Sequence, residues 1–422
     1  MRRAFWVGLH RWAGLAMAGF LVIVAATGSV LAFRDEIDVR LNPELLTVAP
    51  RDVPALDPLE LRERAAALYP GARIDDAALE IRPGRSYMAR IRTKAEREGE
   101  AGPLVFLYLD PYTGEQLGTR TWGVVSLDRR DLLFFLYRLH YTLALPAFTG
   151  RFGSYLLGVT ALVWTIDCFV AFYLTLPPWR RDRGTPSSAA KSWWDRWRPA
   201  WWIKFGGGAY RVNFDIHRAF GLWTWAMLLV FAWSGVGFNL DAVYRPTMKA
   251  LFGFAEIPAA LPARAEPLDA PLLDWRAARA VGRRLLDERA RREGFAIESE
   301  ALLSLDRSRG VYTLVARSSP EIAANTRAIV AFDADSGAPR AATWPGDSAE
   351  KAGNSIGRWL ARLHTASVFG LPMKILVCVL GFAICALSVT GVYIWWKKQK
   401  ARRFHKTKSA SAGAPLEAMT AE

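Results

Sequence analysis

Four long hydrophobic blocks alternate with polar stretches along the chain. The blocks lie at about residues 11–33, 153–176, 219–240 and 373–396. Each is long enough to cross a hydrocarbon core of about 30 Å as a helix, which takes roughly 20 apolar residues. The first block is not followed by a small-residue cleavage site, so we expect it to be retained. The pattern therefore predicts four transmembrane helices.

The two long polar regions, at about 34–137 and 241–363, carry the same succession of patterns. In each, a helical pattern precedes an alternating strand pattern, and a second strand ends in a tight turn. The turns are DPYTG at 110–114 and DADSG at 333–337. An aspartate that bonds the following backbone and a glycine with positive φ suit such a strand exit. Each region is predicted to form an α+β module, one helix against a short antiparallel sheet.

The hydrophobic blocks repeat as well. The first opens with LHRWAGL and the third with IHRAFGL, while Arg-Leu-His precedes the second and the fourth. A unit of helix, module and helix thus occurs twice in the same orientation. We predict an α-helical membrane protein, a four-helix bundle with two α+β modules, built by internal duplication. The predicted segments are helix 1 (1–33), module 1 (34–137), an outer helix with helix 2 (138–176), a basic loop (177–211), helix 3 (212–240), module 2 (241–357), an outer helix with helix 4 (358–397) and a tail (398–422).

The net charge of +15 is concentrated on one side of the predicted membrane. Basic residues precede the first helix, fill the 177–211 loop and follow the fourth helix. Short basic loops stay in the cytoplasm, so both termini and this loop are expected inside and both modules outside. The stretch SWWDRWRPAWWIKF fits an interfacial aromatic belt better than a base-stacking surface, so we expect no nucleic-acid partner. The loop's basic residues are Arg180, Arg181, Arg183, Lys191, Arg196, Arg198, Lys204 and Arg211.

The cysteines exclude several kinds of site. Cys168, Cys378 and Cys385 all lie inside predicted membrane helices, so the modules have no disulfide. The sequence has no C-x-x-C-H motif for covalent haem attachment and no C-x-x-C motif for zinc binding or redox exchange.

Four of the five histidines form two layers in the predicted topology. His10 and His217 are placed at the cytoplasmic starts of helices 1 and 3, and His140 and His364 at the outer starts of helices 2 and 4. The fifth, His405, lies in the basic tail. A single histidine at an interface is commonly an anchor or a cap, but ionisable groups at membrane depth indicate function. Paired imidazoles between helices are typical axial ligands of b-type haem, which predicts two haems, on the order of 20 Å apart in a core of about 30 Å.

Glycines and arginines beside these histidines extend the prediction. Gly14 and Gly221 follow the inner histidines by four residues, on the same helix face. A glycine there leaves room for a flat macrocycle. Four arginines next to the histidines either bind haem propionates or extend to lipid headgroups. They are Arg11, Arg218, Arg138 and Arg362.

Zinc or copper fits this pattern less well than haem. Either metal would need a third or fourth ligand near each histidine pair. The one acid within a span, Asp167, is expected to be too deep and on the wrong helix for the inner pair. Helices 1, 3 and 4 carry small-residue pairs that allow close helix packing, whereas helix 2 has Asp167-Cys168 instead. Asp167 is interpreted either as a buried hydrogen-bonding group or as a proton or propionate partner of the inner haem. The three pairs are Thr27-Gly28, Ser234-Gly235 and Thr390-Gly391.

The chain resembles the PepSY-associated transmembrane helix family of bacterial inner-membrane proteins. The likeness runs from His10 to Lys397 and rests on LHRWAGL…ATGSVLAF, LDPYTGEQLG, RLHYTLALP…GRFGSYLLGVTALV, IHRAFGLW…SGVGF and RLHTASVFG…LSVTGVYIWW. It implies PepSY-like periplasmic modules and an inner-membrane location with both termini cytoplasmic. Members include di-haem ferrisiderophore reductases, which implies oxidoreductase activity. It also implies that the haem ligands are His10, His140, His217 and His364.

The resulting hypothesis is an electron-transfer protein that reduces a periplasmic ferric siderophore and so releases Fe(II) for uptake. The sequence lacks a dinucleotide-binding fingerprint, since KFGGGAYR has neither the strand–turn–helix setting nor the downstream acid. The electron donor is therefore expected to be a separate protein, a quinol or a reduced flavin. Two alternatives stay open: a haem b subunit of another periplasmic reductase, and a haem-free membrane sensor that binds peptides.

Overall fold

The computed structural model describes residues 3–94, 102–178, 192–254, 261–319, 327–344, 346–347 and 350–412. Part of the predicted cytoplasmic loop, with Arg180, Arg181, Arg183 and Lys191, lies outside these ranges. The side chain of His405 also lies outside what is described.

The described residues contain twelve α-helices and two short 3-10 helices, at Ala147–Thr149 and Arg198–Trp201. The α-helices are α1 Arg3–Leu31, α2 Arg34–Leu41, α3 Pro43–Leu46, α4 Pro58–Leu68, α5 Leu132–Thr142, α6 Phe152–Thr175, α7 Trp193–Trp197, α8 Ala209–Asn239, α9 Asp241–Phe252, α10 Trp275–Glu293, α11 Ala352–His364 and α12 Gly370–Ala412.

Four of these helices are long and apolar enough to cross a membrane: α1, α6, α8 and residues Gly370–Arg403 of α12. They coincide with the four hydrophobic blocks, so the prediction of four candidate membrane helices is confirmed. Two of them begin well before their hydrophobic blocks at 11–33 and 219–240, since α1 starts at Arg3 and α8 at Ala209. His10 and His217 therefore lie about two turns inside their helices, at 3.6 residues per turn, rather than at the helix starts.

The four long helices pack in a ring. α1 contacts α6 and α12, and α8 contacts the same two helices. α1 and α8 thus face each other across the bundle. The interior between the helices is filled by apolar side chains, among them Met17, Leu21, Phe231 and Val377.

Two shorter helices, α5 and α11, lie against the bundle ahead of α6 and α12. α5 packs on α1 and α6, whereas α11 packs on α8 and α9. After α5 the chain reverses through Leu143 and Ala144, and after α11 through Ala366 and Phe369, all with positive φ. Non-glycine residues take this conformation only where the surrounding structure holds them in it. Both reversals place the end of the shorter helix beside the bundle.

The polar regions form the two sheets, which contain eight strands in the described chain. Strand order is β2-β3-β4 in the smaller sheet and β1-β5-β6-β7-β8 in the larger, and all pairings are antiparallel. The strands are β1 Asp76–Ala78, β2 Tyr87–Arg92, β3 Leu104–Leu109, β4 Gln116–Thr121, β5 Ala296–Asp306, β6 Val311–Ser319, β7 Arg327–Asp333 and β8 Pro339–Thr343.

The prediction was that each polar region forms its own separate module. One strand departs from it. β1 belongs to the first polar region but pairs with β5 of the second, Ala77 opposite Leu303. Its neighbour Arg73 still bonds the backbone of Arg92 at the end of β2. A free sheet edge offers a row of unpaired backbone groups, and β1 satisfies that edge of β5. The two modules consequently share one continuous interface.

The interface between the modules also contains ion pairs. Arg279 of α10 lies 3.0 Å from Asp57, which caps α4, and 2.6 Å from Glu300 of β5. Arg307 pairs with Asp75 at 2.6 Å. The two predicted turns are confirmed: Asp110 and Asp333 each accept backbone N–H bonds, and the glycine four residues later has positive φ.

Candidate functional site

The structure brings together the two histidines of the outer pair. His140 is near the end of α5 and His364 is the last residue of α11, and their ring centroids are 6.2 Å apart. Because α5 packs on α1 and α11 on α8, the pair lies between opposite sides of the bundle. Phe231 and Phe238 of α8 lie against the His364 ring at 5.3 and 5.2 Å.

The inner pair has the same separation. His10 of α1 and His217 of α8 have ring centroids 6.0 Å apart. Along α1, His10 precedes Thr27, which contacts His140, by 17 residues. At about 1.5 Å per residue this places the two layers about 26 Å apart along the helix, somewhat more than the roughly 20 Å expected between the two haem centres.

Each outer histidine is held through its Nδ1 atom by a membrane helix. His140 Nδ1 lies 2.9 Å from the carbonyl oxygen of Val24 and 3.1 Å from the hydroxyl of Thr27, both on α1. His364 Nδ1 lies 2.6 Å from the hydroxyl of Ser234 on α8. These bonds fix the orientation of both rings.

The inner histidines are held in the same way. His217 Nδ1 lies 3.0 Å from the carbonyl of Leu387 and 3.1 Å from the hydroxyl of Thr390, both on α12. His10 Nδ1 lies 3.0 Å from both carboxylate oxygens of Asp167 on α6. Asp167 was expected to be too deep and on the wrong helix for this pair, and that expectation is wrong. Because α6 packs against α1, its carboxylate reaches His10, in agreement with the interpretation of Asp167 as a buried hydrogen-bonding group.

The Nδ1 bonds leave the opposite ring nitrogen for another partner. Within the described chain, no hydrogen bond is formed by Nε2 of any of the four histidines. A ligating histidine characteristically donates its other N–H to a carbonyl, hydroxyl or carboxylate, which fixes the tautomer. An imidazole nitrogen binds a metal at about 2 Å, so two rings on opposite sides of one iron have centroids about 6 Å apart. Both pairs fit a bis-histidine haem.

The small-residue pairs of the membrane helices have a function that the sequence did not reveal. A Cβ atom on Gly28 would lie 3.0 Å from His140 Cε1, and one on Gly391 would lie 3.2 Å from His217 Cε1. In these two helices the glycine admits the imidazole and the preceding threonine bonds it. In α8 only the hydroxyl of Ser234 contacts a histidine, because Gly235 lies against Ala161.

Gly14 and Gly221, the glycines predicted to face a flat group, adjoin open space. A Cβ on Gly14 would meet no atom within 4 Å, and one on Gly221 would meet only Leu387, at 4.0 Å. The volume that a side chain at Gly14 or Gly221 would enter first is thus free of close protein atoms. A planar cofactor needs such space.

A family model described as the PepSY-associated TM region matches residues 7–398. The chain belongs to this family. No curated protein matches it. The resemblance seen in the sequence is thereby confirmed at the level of the PepSY-associated family, and the match covers the four long helices up to the basic end of α12 and both modules.

The four arginines predicted beside the histidines of this PepSY-associated protein differ in their partners. Arg218 donates to the Pro199 carbonyl at 2.6 Å and pairs with Asp215 at 2.9 Å. Arg138 donates to the carbonyls of Gly123 and Leu145. Both are thus engaged by the protein itself, an arrangement that neither interpretation of the sequence included.

For the other two arginines, contact with a propionate or a headgroup stays a prediction. Arg11 follows His10 directly and has no ion-pair partner among the described residues. Arg362 lies on α11, two residues before His364.

The described residues contain no group of three or more His, Cys, Asp or Glu side chains arranged to hold a metal ion. Each histidine pair offers two imidazole nitrogens, the number of protein ligands that a six-coordinate haem iron takes. Burial lowers the pKa of His140 and of His364, and for His364 the neighbouring His140 adds to the effect. Both rings are accordingly neutral, which is the form that binds a metal.

The aromatic residues of α8 are distributed unevenly around the bundle. Phe231 is buried against His364, whereas Trp223 is exposed on the outside of the bundle. Trp225 donates to the Cys168 carbonyl at 2.9 Å and packs on Phe172. Trp223 is therefore excluded from the space between the two layers.

Proposed function

We propose that the protein binds two b-type haems and carries electrons across the membrane, as an oxidoreductase. The observation that carries the proposal is the double arrangement of opposed histidines, 6.0 and 6.2 Å apart, each bonded through Nδ1. His10 and His217 would hold the inner haem, and His140 and His364 the outer one. Haem supplies an iron that exchanges one electron between Fe(III) and Fe(II).

The side chains of the protein have three tasks in this proposal. The Nδ1 partners orient the four imidazoles and keep Nε2 unprotonated. Gly14 and Gly221 leave space for the ring system, and Arg11, next to His10, is placed to bind a propionate. The apolar interior between the layers excludes water from the path.

The proposed orientation follows from the charge pattern. Basic residues at the N-terminus, in the 177–211 loop and after the last span support an orientation in a bacterial inner membrane with both termini in the cytoplasm. The modules and the outer histidines then face the periplasm. An electron from a cytoplasmic donor would enter at the inner pair and leave from the outer pair.

An internal duplication would account for the equivalent positions of histidines and hydroxyl residues in the two halves of the chain. Thr27 follows His10 by 17 residues, and Ser234 follows His217 by 17 residues. Each of these hydroxyls binds the histidine of the short helix in its own half, His140 and His364 respectively. The helix, module and histidine positions repeat together, as expected for a duplicated unit.

The proposed acceptor is a periplasmic ferric siderophore. One electron converts its Fe(III) to Fe(II), which hard oxygen ligands hold weakly, so the iron is released. The cytoplasmic segment between α6 and α8 is too short for a flavin domain, so a separate reduced flavin, quinol or protein supplies the electron.

Absorption spectroscopy tests the cofactor. Protein purified in detergent from haem-replete cells should show a low-spin bis-histidine spectrum with two haems per chain. His10→Ala should remove one haem, and His140→Ala the other. A colourless, folded preparation would contradict the proposal.

Vectorial reduction tests the reaction. Proteoliposomes that contain a reductant inside should reduce a ferric siderophore outside, measured by trapping Fe(II) with a coloured chelator. His140→Ala should abolish the signal. Equal rates for the wild type and this variant would show that the outer site is not on the path.

A further inference from the structure

One of the four histidines differs from the rest in its Nδ1 partner. His140, His217 and His364 are bonded to neutral groups, namely serine or threonine hydroxyls and backbone carbonyls. His10 is bonded to the carboxylate of Asp167, with both oxygens 3.0 Å from Nδ1. The carboxylate takes the place that a hydroxyl has in the other three membrane helices.

The surroundings of Asp167 direct its charge at this bond. Its side chain is 9% exposed. Within the described chain it has no arginine or lysine at ion-pair distance, and His10 is its hydrogen-bond partner. Asp215, another buried carboxylate at the same end of the bundle, pairs with Arg211 and Arg218 instead. Within the described chain, the His10 imidazole is thus the polar group that the Asp167 carboxylate contacts.

A carboxylate acceptor changes a metal-binding imidazole more than a hydroxyl does. Hydrogen bonds to ionised acceptors are about twice as strong as neutral ones, and a carboxylate behind a ligating histidine raises its basicity. A more basic ligand stabilises Fe(III) relative to Fe(II). Second-shell hydrogen bonding is one of the means by which a protein sets a haem potential.

We propose that Asp167 is a positioning residue that lowers the reduction potential of the inner site below that of the outer site. The inference rests on the proposed function, because it requires a haem at each histidine pair. One electron lost by the inner iron is gained by the outer iron, and no proton is needed for balance. The carboxylate therefore biases the electron toward the outer pair, in the direction of export.

Redox titration of the full-length protein tests this assignment. In the His140→Ala background, where the inner haem alone remains, the titration reports the inner site directly. Asp167→Asn keeps an oxygen acceptor but removes the charge, and Asp167→Thr installs the hydroxyl of the other three sites. Both should raise the midpoint potential, shifting the equilibrium at least tenfold toward Fe(II), or about 59 mV for one electron.

Two further variants separate charge from structure. Asp167→Glu, which retains a carboxylate, should restore a low potential. Cys168→Ala changes the adjacent residue without touching His10 and should leave the potential unchanged.

The outcomes distinguish the inference from the proposed function. Two haems in the otherwise wild-type Asp167→Asn protein, with an inner potential that does not move, would overturn the inference and leave the proposed function intact. Loss of the inner haem in Asp167→Asn and Asp167→Thr alike would make Asp167 a binding determinant and also overturn it. Absence of haem from the wild-type protein would refute both.

Discussion

The inner and outer histidine pairs have almost the same ring separation but are built from different parts of the molecule. His10 and His217 are carried by the long helices α1 and α8 themselves. His140 and His364 are carried by the short helices α5 and α11, which lie between the modules and the bundle. The inner geometry is therefore set by helix packing within the membrane. The outer geometry depends in addition on how the modules hold two short helices.

Contacts around α5 show this dependence. Phe134 of α5 packs on Phe106 of β3 at 5.0 Å and on Trp122, which follows β4, at 5.4 Å. The other end of the helix is bonded to α1 through His140. A disturbance in the first module can thus reach the outer pair through one helix, whereas the described residues give the inner pair no comparable connection to the modules. The comparison predicts that the two sites can be damaged separately.

The largest difference between the effects on the two sites is expected from a change beside His10. Gly14→Leu places a branched side chain in the open space on the His10 face of α1. The inner haem should be lost and the outer one kept, so the haem content falls from two per chain to one. The absorption spectrum and a haem assay measure this.

Gly19 provides the matched control for this change. It lies on the exposed side of the same helix and also has no neighbour within 4 Å of an added Cβ. Gly19→Leu should therefore keep both haems. Retention of two haems in Gly14→Leu would mean that the space beside His10 is not where the cofactor lies.

The sequence alone was sufficient for the long helices and the pairing of the histidines. Runs of apolar residues determine a membrane helix locally, and equivalent histidines in two similar units indicated which residues meet. The turns at Asp110 and Asp333 were also predictable, because an aspartate and a glycine four residues apart determine them.

The partners of the histidines were not predictable from the sequence, for a physical reason. The bond between His10 and Asp167 depends on the rotation and depth of α1 against α6, which neither helix encodes by itself. The pairing of β1 with β5 likewise joins segments more than two hundred residues apart. Three residues of β1 carry too little pattern to select a partner strand.

An intermediate effect, confined to the outer site, is expected from Arg120 in the first module. Its side chain is 0% exposed and forms two bonds to Asp38, at 2.8 and 2.9 Å. It also lies over the Phe134 ring of α5 at 5.4 Å. Removing one partner of a buried ion pair costs about 3–5 kcal/mol, so Arg120→Ala should lower the unfolding temperature of the modules and loosen the outer haem. Circular dichroism and haem content measure the two effects.

Arg64→Ala is the control within the same module. Its pair with Glu60 on α4 is largely exposed, and such pairs contribute about 0–1 kcal/mol. Thermal stability should change little. Loss of the inner haem together with the outer one in Arg120→Ala would contradict the independence of the two sites.

The smallest effect should distinguish the two histidines of the outer pair. In the described chain, Ser234 is the hydrogen-bond partner of His364 Nδ1, whereas His140 retains the Val24 carbonyl if the Thr27 hydroxyl is removed. Loss of such a partner typically weakens metal binding about 10–100-fold. Ser234→Ala should therefore release the outer haem faster by a factor in this range, and Thr27→Val by less, when transfer to excess haem-free globin is followed by absorbance. Equal release rates would mean that the backbone carbonyl of Val24 does not hold His140 in the way its 2.9 Å distance indicates.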